Sequence, residues 1–332
     1  MIRLVLVVVA IIAISMIWDI IAALFFAVIV ASALEPAIEW LKARGIPRIL
    51  GVIMVYLAIV LAMFFLFYFI IPLLLDDLRS FSVLYPSLEA QVRSGLAEAG
   101  NLPLASFLTA NFGEFLSAPL AQIGSLTSDL GTIISAALGG VFSLALVFVF
   151  SFYLAAQERG IENFLRLVTP LKHESYVVDL WERSQKKLGR WLRTQVLLGA
   201  IVGLLTFFGL TLLGIPHAFF FAIIAGLFEI IPVVGPILSA VPAVAAAFLV
   251  SPLLSLLVTA LYIVVQQAES HVIVPVVMRK AVGLSPLVVV LALLIGAKLG
   301  GIFGILFAVP LTAIGAELLN DWDRKKRALL PE

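Results

Sequence analysis

Ile237-Leu-Ser-Ala-Val-Pro242 and Ile305-Leu-Phe-Ala-Val-Pro310 spell one pattern, Ile-Leu-x-Ala-Val-Pro, at an offset of 68 residues. Each copy follows a cluster of helix breakers. The first is Pro232-Val-Val-Gly-Pro236 and the second Gly296-Ala-Lys-Leu-Gly-Gly301. Each cluster follows a short apolar arm, and each arm follows a full apolar span, Thr194–Leu213 or Leu253–Val274. The arm His217–Ile231 makes only ~22 Å of helix, short of the ~30 Å apolar layer of a bilayer, so its break is expected inside the membrane. A six-residue apolar match also arises by chance. Here break position and topology agree with it, although neither was used to find it.

The surrounding composition leaves one broad class. Hydrophobic residues form 63% of the chain and charged residues 12%, against about 45–50% and about 25% in soluble domains. With no cysteine, disulfides, thiolate catalysis and Cys-ligated metals are excluded. His173, His217 and His271 lie far apart, without ligand spacing, so no metal site is expected. No glycine-rich phosphate loop is present, which argues against ATP-driven transport by this chain. Neither a nucleophile–base set nor a cofactor motif supports an enzyme, so neither catalysis nor a cofactor is expected.

Reading from the start, Ile2–Leu34 is too long for one crossing and is expected to turn at Trp18-Asp19, with Pro36 ending the second helix. The apolar start is read as an anchor, not a cleaved leader. Ile49–Leu75 and Gly131–Ala156 read as spans, and Glu158–Arg193 as a basic amphipathic segment. Leu78–Gly95 and Phe107–Leu130 read as amphipathic helices on the membrane surface or against a neighbouring subunit. The expected divisions are membrane helices at 1–75, a periplasmic amphipathic segment at 76–130, a helix plus basic segment at 131–193, an inverted-repeat transport core at 194–320, and a tail at 321–332. About seven to eight membrane helices follow, in an all-α fold.

Lys and Arg set the orientation. They gather at 35–48, at 157–193, at Arg279 and Lys280, and at Arg324-Lys-Lys-Arg327. In contrast, 76–130 holds only Arg79 and Arg93 beside six acids. Both termini are therefore expected in the cytoplasm, and the two helix-plus-hairpin units enter from opposite sides. Paired broken hairpins of this kind mark transporter sites near the midplane.

Charges inside apolar segments are candidate functional groups because burying them is expensive. Glu229 precedes the first break and Lys298 lies in the second, at nearly equivalent positions. They are expected either to approach each other and handle a polar solute or proton, or to form a static pair. Tyr262, Gln266 and Glu269 share one helical face by their spacing of four and three. They line a pathway, unless Glu269 simply reaches water. The breakers Pro232, Gly235, Pro236, Gly296, Gly300 and Gly301 free backbone groups for a ligand, or serve only as turns. The basic residues of 157–193 fit topology and anionic lipid better than nucleic acid.

Three ordered blocks resemble the autoinducer-2 exporter family, also called PerM-like permeases. They are Phe228-Glu-Ile-Ile-Pro-Val-Val-Gly-Pro-Ile-Leu-Ser-Ala-Val-Pro-Ala243, Gln266-Gln-Ala-Glu-Ser-His-Val-Ile-Val-Pro275 with its continuation to Leu287, and 296–310. Leu34-Glu-Pro36 and Arg44-Gly-Ile-Pro-Arg48 also fit the family pattern, whereas 76–130 matches no motif and Ser285 stands where His is expected. The resemblance implies a secondary transporter of the bacterial inner membrane, forming homo-oligomers up to pentamers. Its cargo would be a small polar solute such as autoinducer-2, with a proton as coupling ion. A sodium or lithium/proton antiporter is the alternative, and a non-transporting scaffold or channel-like oligomer the third reading.

Overall fold

The computed structural model describes residues 17–66, 68, 69, 72, 145–274 and 285–327. The whole 76–130 segment, with its two expected amphipathic helices, lies outside the described residues, as do Arg279 and Lys280. The chain divides into two units, one of residues 1–60 with 146–332 and one of 61–145. The packing below belongs to the first.

Every regular element among the described residues is helical. We number them α1 Trp18–Ala43, α2 Arg48–Leu66, α3 Ala145–Ala156, α4 Gly160–Val168, α5 Leu171–Leu212, α6 Ala218–Phe228, α7 Val234–Val250 and α8 Pro252–Ala268. A π turn, Glu269–Ile273, extends α8. The stretch Pro286–Arg327 breaks at Gly300 and Gly301 into α9, Leu287–Gly301, and α10, Phe303–Arg327. Five of the described helices are long and apolar enough to cross a bilayer. Large apolar side chains such as Leu57, Phe208, Leu256 and Leu294 face outward, each at least half exposed. The protein is an all-α, multi-pass membrane protein.

Two sequence expectations need correction. Pro36 does not stop α1, which runs through it to Ala43. The proline removes only the N–H that would bond the Ser32 carbonyl. That carbonyl lies against Gly189 of α5, where any Cβ would collide with it. Immediately before the proline, Glu35 takes Arg48 in a two-bond grip of 2.8 and 3.0 Å. Arg48 also donates to the Ala155 carbonyl at the end of α3. Second, the basic segment and the span after it are not separate. Leu171–Leu212 is one continuous 42-residue helix, ~63 Å long.

The helix-plus-hairpin unit occurs twice. α6 and α7 fold back on each other, with Phe221 and Ala218 packed in one cluster with Ala243 and Ala247. α9 and α10 do the same. Gly296 meets the Gly304 carbonyl, and a Cβ there would lie 3.1 Å from that of Ala308, a contact impossible along one straight helix. The helices that lead into these hairpins run antiparallel. Gly209 of α5 meets Leu261 of α8, while Val202, further back on α5, packs with Val265, further on along α8.

The turns match in detail. Val233 and Gly301 hold positive φ, 68° and 55°, and stand at the 68-residue offset of the motif. Pro242 and Pro310 both fall inside the return arms. Gly296 is not part of the second turn, as the sequence reading had it. It is the crossing point between the arms, and the turn itself is Gly300–Gly301.

Candidate functional site

Three helices converge where Val202 of α5, Ala225 of α6 and Val265 of α8 form a small buried cluster. α6 crosses α5 closely because both present small residues. Gly199 and Gly203, four apart, face Ala222 and Gly226; a Cβ on Gly226 would come within 2.8 Å of the Gly199 carbonyl oxygen. α6 and α8 both run antiparallel to α5 here. One turn beyond the cluster on α6 and α8 stand Glu229 and Glu269, and two turns back on α5 stands Gln195, whose amide reaches the Glu229 carbonyl.

At this level α6 has just ended. Glu229 caps it and is fully buried, 0% exposed. Its two carboxyl oxygens have no hydrogen-bond partner among the described residues. Its charged neighbour is Glu269, itself buried at the first residue of the π turn. Gln266 donates to Glu269 Oε2 at 3.1 Å. Gln195, 2% exposed, donates its amide N–H to the Glu229 backbone carbonyl. Its side-chain oxygen has no partner among the described residues, nor does the hydroxyl of Tyr262, one turn before Gln266 on α8. Just past Glu229 the chain turns tightly: the Pro232 carbonyl accepts from Val234 N at 2.7 Å across Val233. Gly235 is wedged against the Phe228 carbonyl, where no side chain fits.

Three of the sequence candidates thus meet, Glu229, Glu269 and Gln266, with the Pro232–Pro236 break following Glu229, while Tyr262 packs against the Val202–Ala225–Val265 cluster. Lys298 does not join them. It is exposed on α9 and forms no ion pair with Glu229, whose carboxyl is orphaned. The expected Glu229–Lys298 pair is therefore replaced by an acid facing an acid. The reason lies in the hairpin: the register that brings Gly296 against Gly304 turns Lys298 outward. The level is also not the midplane. Gln195 lies two residues past Arg193, at the start of the apolar part of α5, so the joint sits toward the basic edge of the apolar layer.

The sequence reading passed over Gln195 because it carries no charge. Its signal was available as a lone amide at the head of the run Val196–Leu213. The small-residue pair in Gly199-Ala-Ile-Val-Gly203 was equally readable. A second polar cluster also escaped notice. Arg183 of α5 bonds Glu317 at 2.6 Å and Asp321 at 2.6 and 3.1 Å on α10, and Asp179 on its own helix. Lys187 pairs with Glu317. Two described cavities lie elsewhere, one of about 40 Å³ beside Glu35, Arg48 and Trp181 and one of about 420 Å³ beside Arg166, Glu174 and Asp179.

Broken helices, buried carboxyls at the break and lipid-facing apolar surfaces define the class of multi-pass membrane transport proteins. The chain belongs to the AI-2E transporter family, whose sequence profile matches residues 4–324. It is similar to "Putative transport protein YueF" of Bacillus subtilis (strain 168), 24% identical over 309 residues, covering 89% of this chain and 83% of that one. It is also similar to "Putative transport protein YhhT" of Escherichia coli (strain K12), 26% identical over 298 residues with 89% and 83% coverage. "AI-2 transport protein TqsA" of the same strain is 26% identical over 305 residues, with 89% and 84% coverage. The protein is a transporter.

Proposed function

We propose that this protein is a secondary transporter that exports a small polar solute such as autoinducer-2, driven by protons that load the Glu229–Glu269 pair. The observation that carries the reading is the buried acid pair at a helix break with unsatisfied oxygens. Two facing carboxylates without a cation cost several kcal/mol in such a site. A proton or cation that binds there removes that cost, and its arrival and departure can drive α6–α7 against α5 and α8. Tyr262, Gln266 and the backbone freed at Pro232–Pro236 supply the donors and acceptors that a hydroxylated solute needs. The similarity to a protein named for AI-2 transport supports the choice of solute.

In this reading the chain sits in the bacterial inner membrane as a homo-oligomer, with both termini in the cytoplasm. The 194–320 region is the transport core, 321–332 the cytoplasmic tail and 76–130 periplasmic. The decisive experiment reconstitutes the protein in sealed vesicles and follows autoinducer-2 flux under an imposed pH gradient. Flux that follows the gradient and disappears in Glu229→Gln is the expected result. Sodium-driven proton flux without solute movement moves the assignment to a cation/proton antiporter, and neither flux leaves only a scaffold.

A further inference from the structure

We propose that Gln195 is the fixed acceptor of the site, and that its side-chain oxygen receives the hydrogen bond of whatever donor loads Glu229. The donor is either the O–H of the protonated carboxyl or a hydroxyl of the solute. This rests on the site described above but not on the identity of the cargo.

The argument begins with orientation. An amide has one donor end and one acceptor end, and its placement follows from its partners. The Glu229 backbone carbonyl can only accept, so the Gln195 N–H must point at it. The oxygen is left as the free end, buried and without a partner. Gln195 lies one turn from Gly199, where a Cβ would lie 3.5 Å from the Glu229 Cβ. The amide and the carboxyl therefore share one seam between α5 and α6.

An inventory of the seam shows what it lacks. Among the described residues, both Glu229 oxygens and the Gln195 oxygen accept and have no donor. Glu269 faces Glu229 from the π turn that extends α8, within hydrogen-bonding reach of its carboxyl once one of the two is protonated, and accepts from Gln266. Tyr262, also from α8, offers one hydroxyl. The cations nearest on α5, Arg190 and Arg193, are exposed. From α7, Ser239 is buried but donates to the Pro236 carbonyl at 3.0 Å. The seam is rich in acceptors and poor in donors, so it rejects anions and waits for a donor. A proton arriving from water on the basic side bonds to a Glu229 oxygen, and its O–H then donates to Gln195 in competition with the Glu269 carboxylate. On release the proton returns to water and the amide oxygen is again unpaired. The same amide holds the hairpin by its other end, so loading of Glu229 is felt directly where α6 meets α5.

Infrared difference spectroscopy between acidic and alkaline buffer tests this on the purified, full-length protein without any solute. A protonated-carboxyl band that vanishes in Glu229→Gln belongs to Glu229. In Gln195→Met and Gln195→Leu, which remove the acceptor, that band should move to the higher frequency of a carboxyl with a weaker hydrogen bond. In wild-type protein carrying 13C in its glutamine side-chain carbonyls, acidification should lower an amide band that Gln195→Met deletes; this measurement stands even if the leucine variant does not fold. An unchanged carboxyl band in a folded Gln195 variant, or no Glu229-dependent band, overturns the proton as the donor, and the absence of a Gln195 amide shift with the solute as well overturns the proposal whole. Vesicle flux of autoinducer-2 that persists in that case leaves the transport reading standing, so the two fail separately. A further arm adds the solute at alkaline pH. A Gln195 amide shift seen there, and not on acidification, assigns the donor to the solute hydroxyl.

Discussion

At the residue scale, Glu229 and Lys298 began as equivalents and ended as opposites. One is sealed among three helices and the other is exposed. Replacement of Lys298 by Ala should therefore change stability by no more than about 0.5 kcal/mol, as at other exposed positions. Unfolding in a mixed-detergent titration measures this. Glu229→Gln keeps the shape of the site and removes its charge. We expect solute flux in vesicles to fall by about tenfold or more, equivalent to about 1.4 kcal/mol, with a folded protein on size exclusion. Glu269→Gln should fall with it, because the two acids act on one another. Retained flux in both single variants would remove the pair from the mechanism.

At the element scale, the two hairpin turns differ in one telling way. Gly301 adopts its positive φ freely, whereas Val233 holds φ 68° and ψ −50° with a β-branched side chain. Such a conformation costs about 1–3 kcal/mol. Val233→Gly relieves it, less the roughly 0.5–1 kcal/mol lost to backbone entropy, so the protein should gain about 1 kcal/mol of stability. Transport should slow in the same variant if the strain biases the hairpin between its positions. Thermal unfolding and flux, measured on one preparation, check both halves. Gly226→Leu should have the opposite effect: a side chain there pushes α6 off α5 and costs about 1–3 kcal/mol.

Much of this level was legible in advance. Breakers at matched offsets announced the two hairpins because proline and glycine act locally, through the backbone alone. The meeting of Gln266 with Glu269 followed from helical spacing for the same reason. Pro36 was misread because its consequence depends on Gly189, more than 150 residues away, which nestles against the freed carbonyl. The partner of Glu229 was misread because equivalence in a repeat does not say which face each side chain takes. That is set by the crossing of Gly296 with Gly304. The continuity of α5 was hidden by a change in composition, from basic to apolar, that leaves helix propensity intact.

At the scale of the whole molecule, the cluster around Arg183 ties α5 to the return arm of the second hairpin. Its partners on α10, Glu317 and Asp321, are only 12% and 11% exposed, so salt should screen those pairs less than a surface pair. A double-mutant cycle between Arg183→Ala and Asp321→Ala should give a coupling energy of about 1–2 kcal/mol. The charge-swapped pair should recover part of the loss. On topology, a cysteine placed at Ser94 in this cysteine-free chain should react with an impermeant maleimide from the periplasm. Labelling from the cytoplasmic side alone would reverse the proposed orientation.

The unbroken length of α5 has a mechanical consequence. Its apolar half stands beside the acid pair, while the residues from Leu171 to Arg193 reach about 35 Å past it. A rod of that length is a lever. If loading of Glu229 tilts the upper half by about 5°, the far end sweeps about 3 Å, carrying with it the cluster at Arg183 and hence α10. One hairpin can thus shift the other through α5, and the amplitude is largest at Leu171, the place to mount a distance probe.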